Sequence, residues 1–309
     1  MYNGFTVTDS IRNSKQYDGS LSKFGITVDG VDYLVKYSSK SKTAQYSEYV
    51  ASRFIGSIGI KSHKVWLGYY GDKTVNIIED LSSNGYNLKP FSHTKQSSED
   101  TDLTNKEYTY EDVLDLIIKH TKINDKDAAV DQFWDMYIMD AILGNRDRHR
   151  GNWGYLEHKS GEHIMSPIYD NGGCLFPDIY VKEDSLDKLS NDFIIERIEQ
   201  FPASLFKMER ADGSIKRTNY YEVIGNANKI GSLNKRLSKF KGRTNLEYIA
   251  DTIYKVCYTA KDIIPHKYIA FYCMVVCSRY MHIICRYDSE TACKLSREVL
   301  LNVNKNISC

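Results

Sequence analysis

Apolar and polar positions alternate over Phe24–Val28 and again over Tyr33–Tyr37, with Asp29-Gly30 between them. The alternation predicts two strands of a hairpin. Asp-Gly suits its turn because both residues tolerate positive φ. Over Gln45–Ile58 the period changes, and Val50, Phe54 and Ile58 form the apolar stripe of a helix that Gly59 stops. Alternation returns in Lys64–Tyr70 and Lys73–Ile78, split by Gly71-Asp72. Residues 1–80 therefore read as hairpin, helix, hairpin: a small α/β unit.

Residues 92–107 are rich in Ser, Thr and Asp and read as a flexible surface connection. Beyond them the chain reads as mainly helical. Asp127–Leu143 is the clearest helix, with Val130, Phe133, Trp134, Tyr137, Ile138, Ala141 and Ile142 at helical spacing and Gly144 as its end. Two short strands, Trp153–Leu156 and His163–Ile168, flank a turn at Lys159-Ser-Gly161. Helical patterns recur at Asp184–Gln200, at Leu246–Cys257, and from Lys267 to the C-terminus.

Composition narrows the class without naming a function. The 309 residues are 42% apolar and 26% charged, ordinary for a soluble globular protein, and the net charge is +1. Bulk charge gives no reason to expect direct DNA binding or a membrane surface. The N-terminus lacks the apolar core of a secretory signal. The most apolar stretch, Tyr268–Cys277, is too short to span a bilayer and reads as a buried helix. The seven cysteines include no CxxC pair, and Cys273 and Cys277 have no histidine cluster beside them. They read as reduced thiols of a cytoplasmic protein.

Chemistry concentrates just after the clearest helix. The run Leu143-Gly-Asn-Arg-Asp-Arg-His-Arg-Gly-Asn152 leads through the hairpin to Tyr169-Asp-Asn-Gly-Gly173. A tight hairpin returns the chain to its start, so Asp147, Asn152 and Asp170 should converge. Two carboxylates and an amide oxygen suit Mg2+, which prefers oxygen ligands and bridges carboxylates to phosphates. Phosphoryl transfer needs alignment, charge neutralisation and a group that accepts the hydroxyl proton. In this reading Asp147 is the catalytic residue, and Asn152 and Asp170 hold the metal. His149 either packs behind the loop, the favoured placement, or approaches the phosphates. Arg146, Arg148 and Arg150 read as three surface cations.

Phe133–Gly154 and Pro167-Ile-Tyr-Asp-Asn-Gly172 resemble the core of HipA-like serine/threonine kinases, most closely the compact bacterial CtkA-type members. The resemblance implies an α+β, two-lobed protein-kinase-like fold: an antiparallel-sheet N-lobe with one helix over residues 1–81, and a mainly helical C-lobe over 82–309. ATP would lie between the lobes. Lys36 matches the strand lysine that contacts ATP phosphates, and Glu48 the helix glutamate that pairs with it. Glu48, Ala51, Ser52 and Ile55 share one helix face, and a buried lysine needs such a partner to stay charged. Glu79 to Leu81 match the hinge that meets adenine. Gly19, Ser20, Leu21, Ser22 and Lys23 match the phosphate loop, although Asp18–Gly25 follows neither G-x-G-x-x-G nor the Walker pattern. His149 and Tyr169 complete the ATP-binding set.

The resemblance implies a serine/threonine protein kinase of the EC 2.7.11 type, using ATP and Mg2+ on a protein substrate. Autophosphorylation of the loop is part of that expectation, with Ser14, Ser20 and Ser22 the nearest serines. A small antitoxin-like partner belongs to it as well, although the chain starts almost directly at the kinase lobe. The location expected is cytoplasmic, and delivery into a host cell is compatible with the same sequence. Two alternatives stand beside it: a small-molecule or lipid phosphotransferase, and a nucleotide-binding interaction module without turnover.

Overall fold

Asp29 and Gly30 both take positive φ, 50° and 74°, and close the hairpin between strands β2 (Ser22–Val28) and β3 (Val31–Tyr37). That pair of angles is the turn whose twist matches twisted strands. The computed structural model describes residues 1–17, 22–38, 43–93, 109–119, 122–209 and 213–307. Helix α1 (Thr43–Ser57) follows, then the hairpin of β4 (Val65–Tyr70) and β5 (Lys73–Glu79). The order hairpin, helix, hairpin is as expected. The sheet runs β1-β4-β5-β3-β2, where β1 (Phe5–Thr6) pairs parallel to β4 and all other pairs are antiparallel. One side of it buries Val7, Ile26, Val35, Val75 and Ile77 in a small core of their own. Val50, Phe54 and Ile58 of the α1 segment join the large core instead, which continues into the helical part of the chain.

The chain then forms β6 (Tyr86–Pro90), which the sequence did not predict, and α2 (Tyr110–Lys119). The polar stretch 92–107 falls mostly outside the described residues. Helix α3 (Lys126–Leu143) matches its expected bounds. Asp125 caps its start by accepting from Ala128 N, and Gly144 ends it at φ 67°. From Phe133 to Leu143 every residue of α3 is buried, polar ones included. It is therefore a central helix rather than one with a single apolar face. Strands β7 (Gly154–His158) and β8 (His163–Met165) form the expected hairpin, with β6 paired to the free edge of β7.

The helical expectation over Asp184–Gln200 is corrected to α4 (Asn191–Ile198), where Ser190 supplies the cap. A second correction is a two-stranded sheet of β9 (Ala203–Glu209) and β10 (Ile215–Asn219) inside the region read as mainly helical. Helices α5 (Tyr220–Gly225), α6 (Gly231–Arg243) and α7 (Leu246–Tyr258) follow. The C-terminal pattern resolves into α8 (His266–Arg279), a π-helical turn over Tyr280–Ile284, and α9 (Ser289–Ile307). Tyr268–Cys277 lies inside α8 and is almost wholly buried, as expected. Among the described residues no helix is long and apolar enough to cross a membrane. The six described cysteines are free thiols.

Candidate active site

Lys36 projects from β3 and is nearly buried. Its Nζ donates to Glu48 Oε2 of α1 at 2.9 Å and to Asp170 Oδ1 at 2.5 Å. Burial alone would lower the lysine's proton affinity, but the two carboxylates outweigh it and raise the pKa above the ordinary value. Burial would likewise raise the Glu48 carboxyl. Lys36, reinforced by His63, instead holds it below the usual carboxylate range. The other Glu48 oxygen, Oε1, accepts from the Asn171 N–H at 2.8 Å and lies 3.2 Å from His63 Nε2. Both oxygens of a fully buried carboxylate are thus engaged, as burial of a charge requires.

Asp170 takes φ 54°, a conformation few non-glycine residues adopt. The segment on either side of it is fixed. Ile168 exchanges backbone bonds with the loop between α1 and β4: Ile168 N donates to Lys61 O, and His63 N donates to Ile168 O. Gly172 and Gly173 then pass through gaps with no room for a side chain. A Cβ on Gly172 would lie 3.0 Å from Glu48 Oε2, and one on Gly173 2.8 Å from Asn145 Oδ1 and 3.0 Å from Asp147 Cβ. The two glycines let the segment after Asp170 touch the Lys36–Glu48 pair and the Asp147 loop in consecutive residues.

The loop holding Asp147 is braced from behind by Arg148. This corrects its reading as a surface cation: the Arg148 side chain is fully buried. Its Nε and Nη2 grip both oxygens of Asp140 on α3 at 2.8 and 3.0 Å. Nη1 donates to the carbonyls of Asn152 and Tyr169, each at 2.5 Å, and Nη2 also to Asn171 Oδ1 at 2.7 Å. Asp140, equally buried, also accepts from Asn145 Nδ2, whose own Oδ1 accepts from Asp147 N. With the inward side so occupied, Asp147 points outward. Its side chain is 69% exposed, and His149 Nε2 lies 4.0 Å from Oδ1.

His149 is corrected too. Its side chain is exposed rather than packed behind the loop, and Nδ1 accepts from Gly151 N at 3.0 Å. Asn152 Nδ2 donates to Asp147 O at 2.8 Å, which leaves Oδ1 without a bond from any described residue. The second Asp170 oxygen, Oδ2, is free in the same sense. These are two hard oxygen donors of the kind magnesium takes. Among the described residues there is no cluster of three His, Cys, Asp or Glu side chains suited to a metal. The two free oxygens fit a magnesium ion that takes its other ligands from phosphates and water. Tyr169 turns its hydroxyl inward to Gly151 O at 3.0 Å, and burial raises its pKa.

On the sheet side, Lys23 pairs directly opposite Lys36 in the β2–β3 register, so the two share a face. Ser22 opens β2, while Gly19, Ser20 and Leu21 lie outside the described residues. At the expected hinge, Glu79 N donates to Lys64 O and its side chain pairs with Lys64. The Leu81 backbone makes no hydrogen bond to a described residue. Between them, the buried Asp80 carboxylate accepts from Lys15 Nζ at 2.7 Å, Tyr17 Oη at 3.0 Å and Ser82 N at 2.8 Å. Sequence reasoning missed Lys15, Tyr17 and Asp80. Only a lysine and a tyrosine just ahead of the stretch matched to a phosphate loop in the sequence hinted at them. It also missed Arg279, which is fully buried without a carboxylate. Arg279 donates to Ala141 and Ile142 carbonyls at the end of α3 and to Arg197, Ile198 and Gln200 carbonyls at the end of α4. Burial lowers its pKa to about 10.

The serine/threonine-protein kinase CtkA of Helicobacter pylori strain J99 is 34% identical over 207 residues, covering 63% of this chain and 62% of that protein. The match thus spans under two thirds of that relative's length. The crystal structure of a Helicobacter pylori proinflammatory kinase CtkA superposes with a TM-score of 0.72 at 27% identity, covering 90% of this chain and 97% of that one. HipA of Shewanella oneidensis MR-1, solved with HipB and operator DNA, aligns at 12% identity and a TM-score of 0.47 over 97% of this chain and 68% of that one. Residues 17–172, about half of the chain, match the HipA-like C-terminal domain, and the chain belongs to that family.

Proposed function

We propose that this chain is a serine/threonine protein kinase that uses Mg-ATP, with the nucleotide bound between segments 1–81 and 82–309. The observation that carries the reading is Lys36 Nζ held between Glu48 and Asp170. A lysine fixed beside a metal-binding carboxylate is what phosphate positioning requires. The likeness to CtkA supports the acceptor class. Lys36 and Lys23, on one sheet face, neutralise phosphate charge. Backbone groups at Leu81 meet the adenine edge. The exposed Asp147 accepts the proton of the incoming hydroxyl, while Arg148 keeps its loop still beneath it. Asn152 and Asp170 would hold magnesium, which supplies charge neutralisation on the transferred phosphoryl group.

Two variants test this with labelled ATP and a generic basic protein as acceptor. Asp147→Ala should abolish transfer and leave ATP binding largely intact. Asp170→Ala should also weaken Mg-ATP binding. Near-normal phosphorylation by the Asp147→Ala protein would defeat the assignment, and transfer only to sugars or lipids would redirect it to small-molecule acceptors.

A further inference from the structure

Asn171 follows the metal-side aspartate, and no catalytic step above uses its side chain. It is completely buried. Arginine can only donate, so the amide oxygen must face Arg148, and the contact Nη2 to Oδ1 is 2.7 Å. The amide nitrogen is then left for α1, where Nδ2 donates to Ser52 Oγ at 2.9 Å. Its backbone N–H donates to Glu48 Oε1. Ser52 Oγ is also 2.7 Å from His63 Nε2, which in turn approaches Glu48. One residue thus touches the brace of the Asp147 loop with one end and the helix carrying Glu48 with the other.

The amide accepts from Arg148 with its oxygen and donates to Ser52 with its nitrogen. A carboxylate would offer acceptors alone and would add a buried negative charge beside Glu48 and Asp140. An aliphatic group would strand an Arg148 donor and leave Ser52 Oγ with His63 as its partner. In kinases with Asp-Phe-Gly at this place, the packing of an aromatic ring sets the active or inactive state. Here the corresponding side chain is hydrogen-bonded at both ends.

We propose that Asn171 is a positioning residue that couples the Asp147 loop to the Lys36–Glu48 pair, through Arg148 on one side and Ser52 on the other. The proposal rests on the kinase reading for its catalytic consequence and on geometry alone for the coupling. The segment after Asp170 and α1 accordingly hold each other in place.

The test uses the full chain and two variants, Asn171→Leu and Ser52→Ala, with folding checked by circular dichroism. Hydrogen exchange is followed in three segments: 145–152, 46–54 and, as a remote control, 290–303 in α9, which packs on α4, α7 and α8 and not on α1. Both variants should speed exchange in the first two segments together and leave the third unchanged. With Mg-ATP and a basic protein acceptor, kcat should fall on the order of tenfold for Asn171→Leu and severalfold for Ser52→Ala, with KM for ATP shifted far less. Ser52 lies on α1, so a loss of kcat there is a signal that mere loosening of the fold would not give. Exchange confined to one segment, or kcat within twofold of wild type in both variants, would overturn the proposal. A wild-type protein without transferase activity would defeat the kinase reading instead, and the exchange arm would still decide the coupling. If Asn171→Leu does not fold, Ser52→Ala decides alone.

Discussion

Replacing Arg148 with methionine tests the brace directly. The side chain and its partner Asp140 are both fully inaccessible. Arg148→Met leaves Asp140 buried with only Asn145 Nδ2 as a side-chain donor, and takes a donor from the carbonyls of Asn152 and Tyr169. Breaking one partner out of a buried ion pair costs about 3–5 kcal/mol. The stranded carbonyls add to this only where water cannot reach them. A typical domain is stable by about 5–15 kcal/mol, so the loss is a large share of the total and corresponds to a Tm drop on the order of 10 °C. Urea unfolding followed by tryptophan fluorescence measures it. The double variant Asp140→Leu/Arg148→Met removes the stranded charge, so its loss should be smaller than the sum of the two single losses by about 2 kcal/mol or more. A single-variant loss below about 1 kcal/mol, or strict additivity in the double variant, would refute the reasoning.

Stability should also depend on pH through the Lys36–Glu48 pair. Glu48 is lowered in the folded state, so its contribution is present above the ordinary value of 4.5 and is lost as pH falls through the lowered one. Lys36 is raised, so its contribution is complete below 10.5 and is lost as pH rises through the raised value. Melting temperatures of wild type and Glu48→Gln should therefore differ most between about pH 5 and 10 and converge in acid; a constant difference down to about pH 2 would contradict this. At Gly173, an alanine Cβ would press on the anchored Asn145 amide and on Asp147 itself. Gly173→Ala should lower kcat about tenfold or more with little change in KM for ATP, because the base loop and not the nucleotide contacts must move. Steady-state kinetics on folded protein decide this, and an unchanged kcat would show that the loop yields harmlessly.

Much of this architecture was legible because its signals are local. Asp29-Gly30 announces a turn whichever strands flank it, and Gly144 stops α3 through its own φ. The return of the chain beside Asn152 at Tyr169 was legible because a short hairpin limits how far the chain can travel. The brace was not. The Arg148 contacts reach Asp140 on the preceding helix and Tyr169 and Asn171 beyond the hairpin, so three arginines in a row look alike until those partners converge. His149 was misplaced for the same reason: Arg148 already fills the space behind the loop. Arg279 finds its carbonyls 138 residues away at the end of α3, and nothing in its neighbourhood marks it. Strand β6 was missed because Tyr86–Pro90 is only half-buried and carries no clean alternation; it exists because β7 offers an open edge.

The backbone bonds between Ile168 and the loop at Lys61–His63 have a mechanical consequence. They stitch the segment leading to Asp170 to the sheet side of the cleft, while Arg148 stitches the same segment to the loop of Asp147. The two seams act in series through that segment, so breathing that pulls the halves of the cleft apart has to open only the weaker one. Hydrogen exchange of the His63 and Ile168 amides, compared with that of the 145–152 loop, should therefore show which seam yields first.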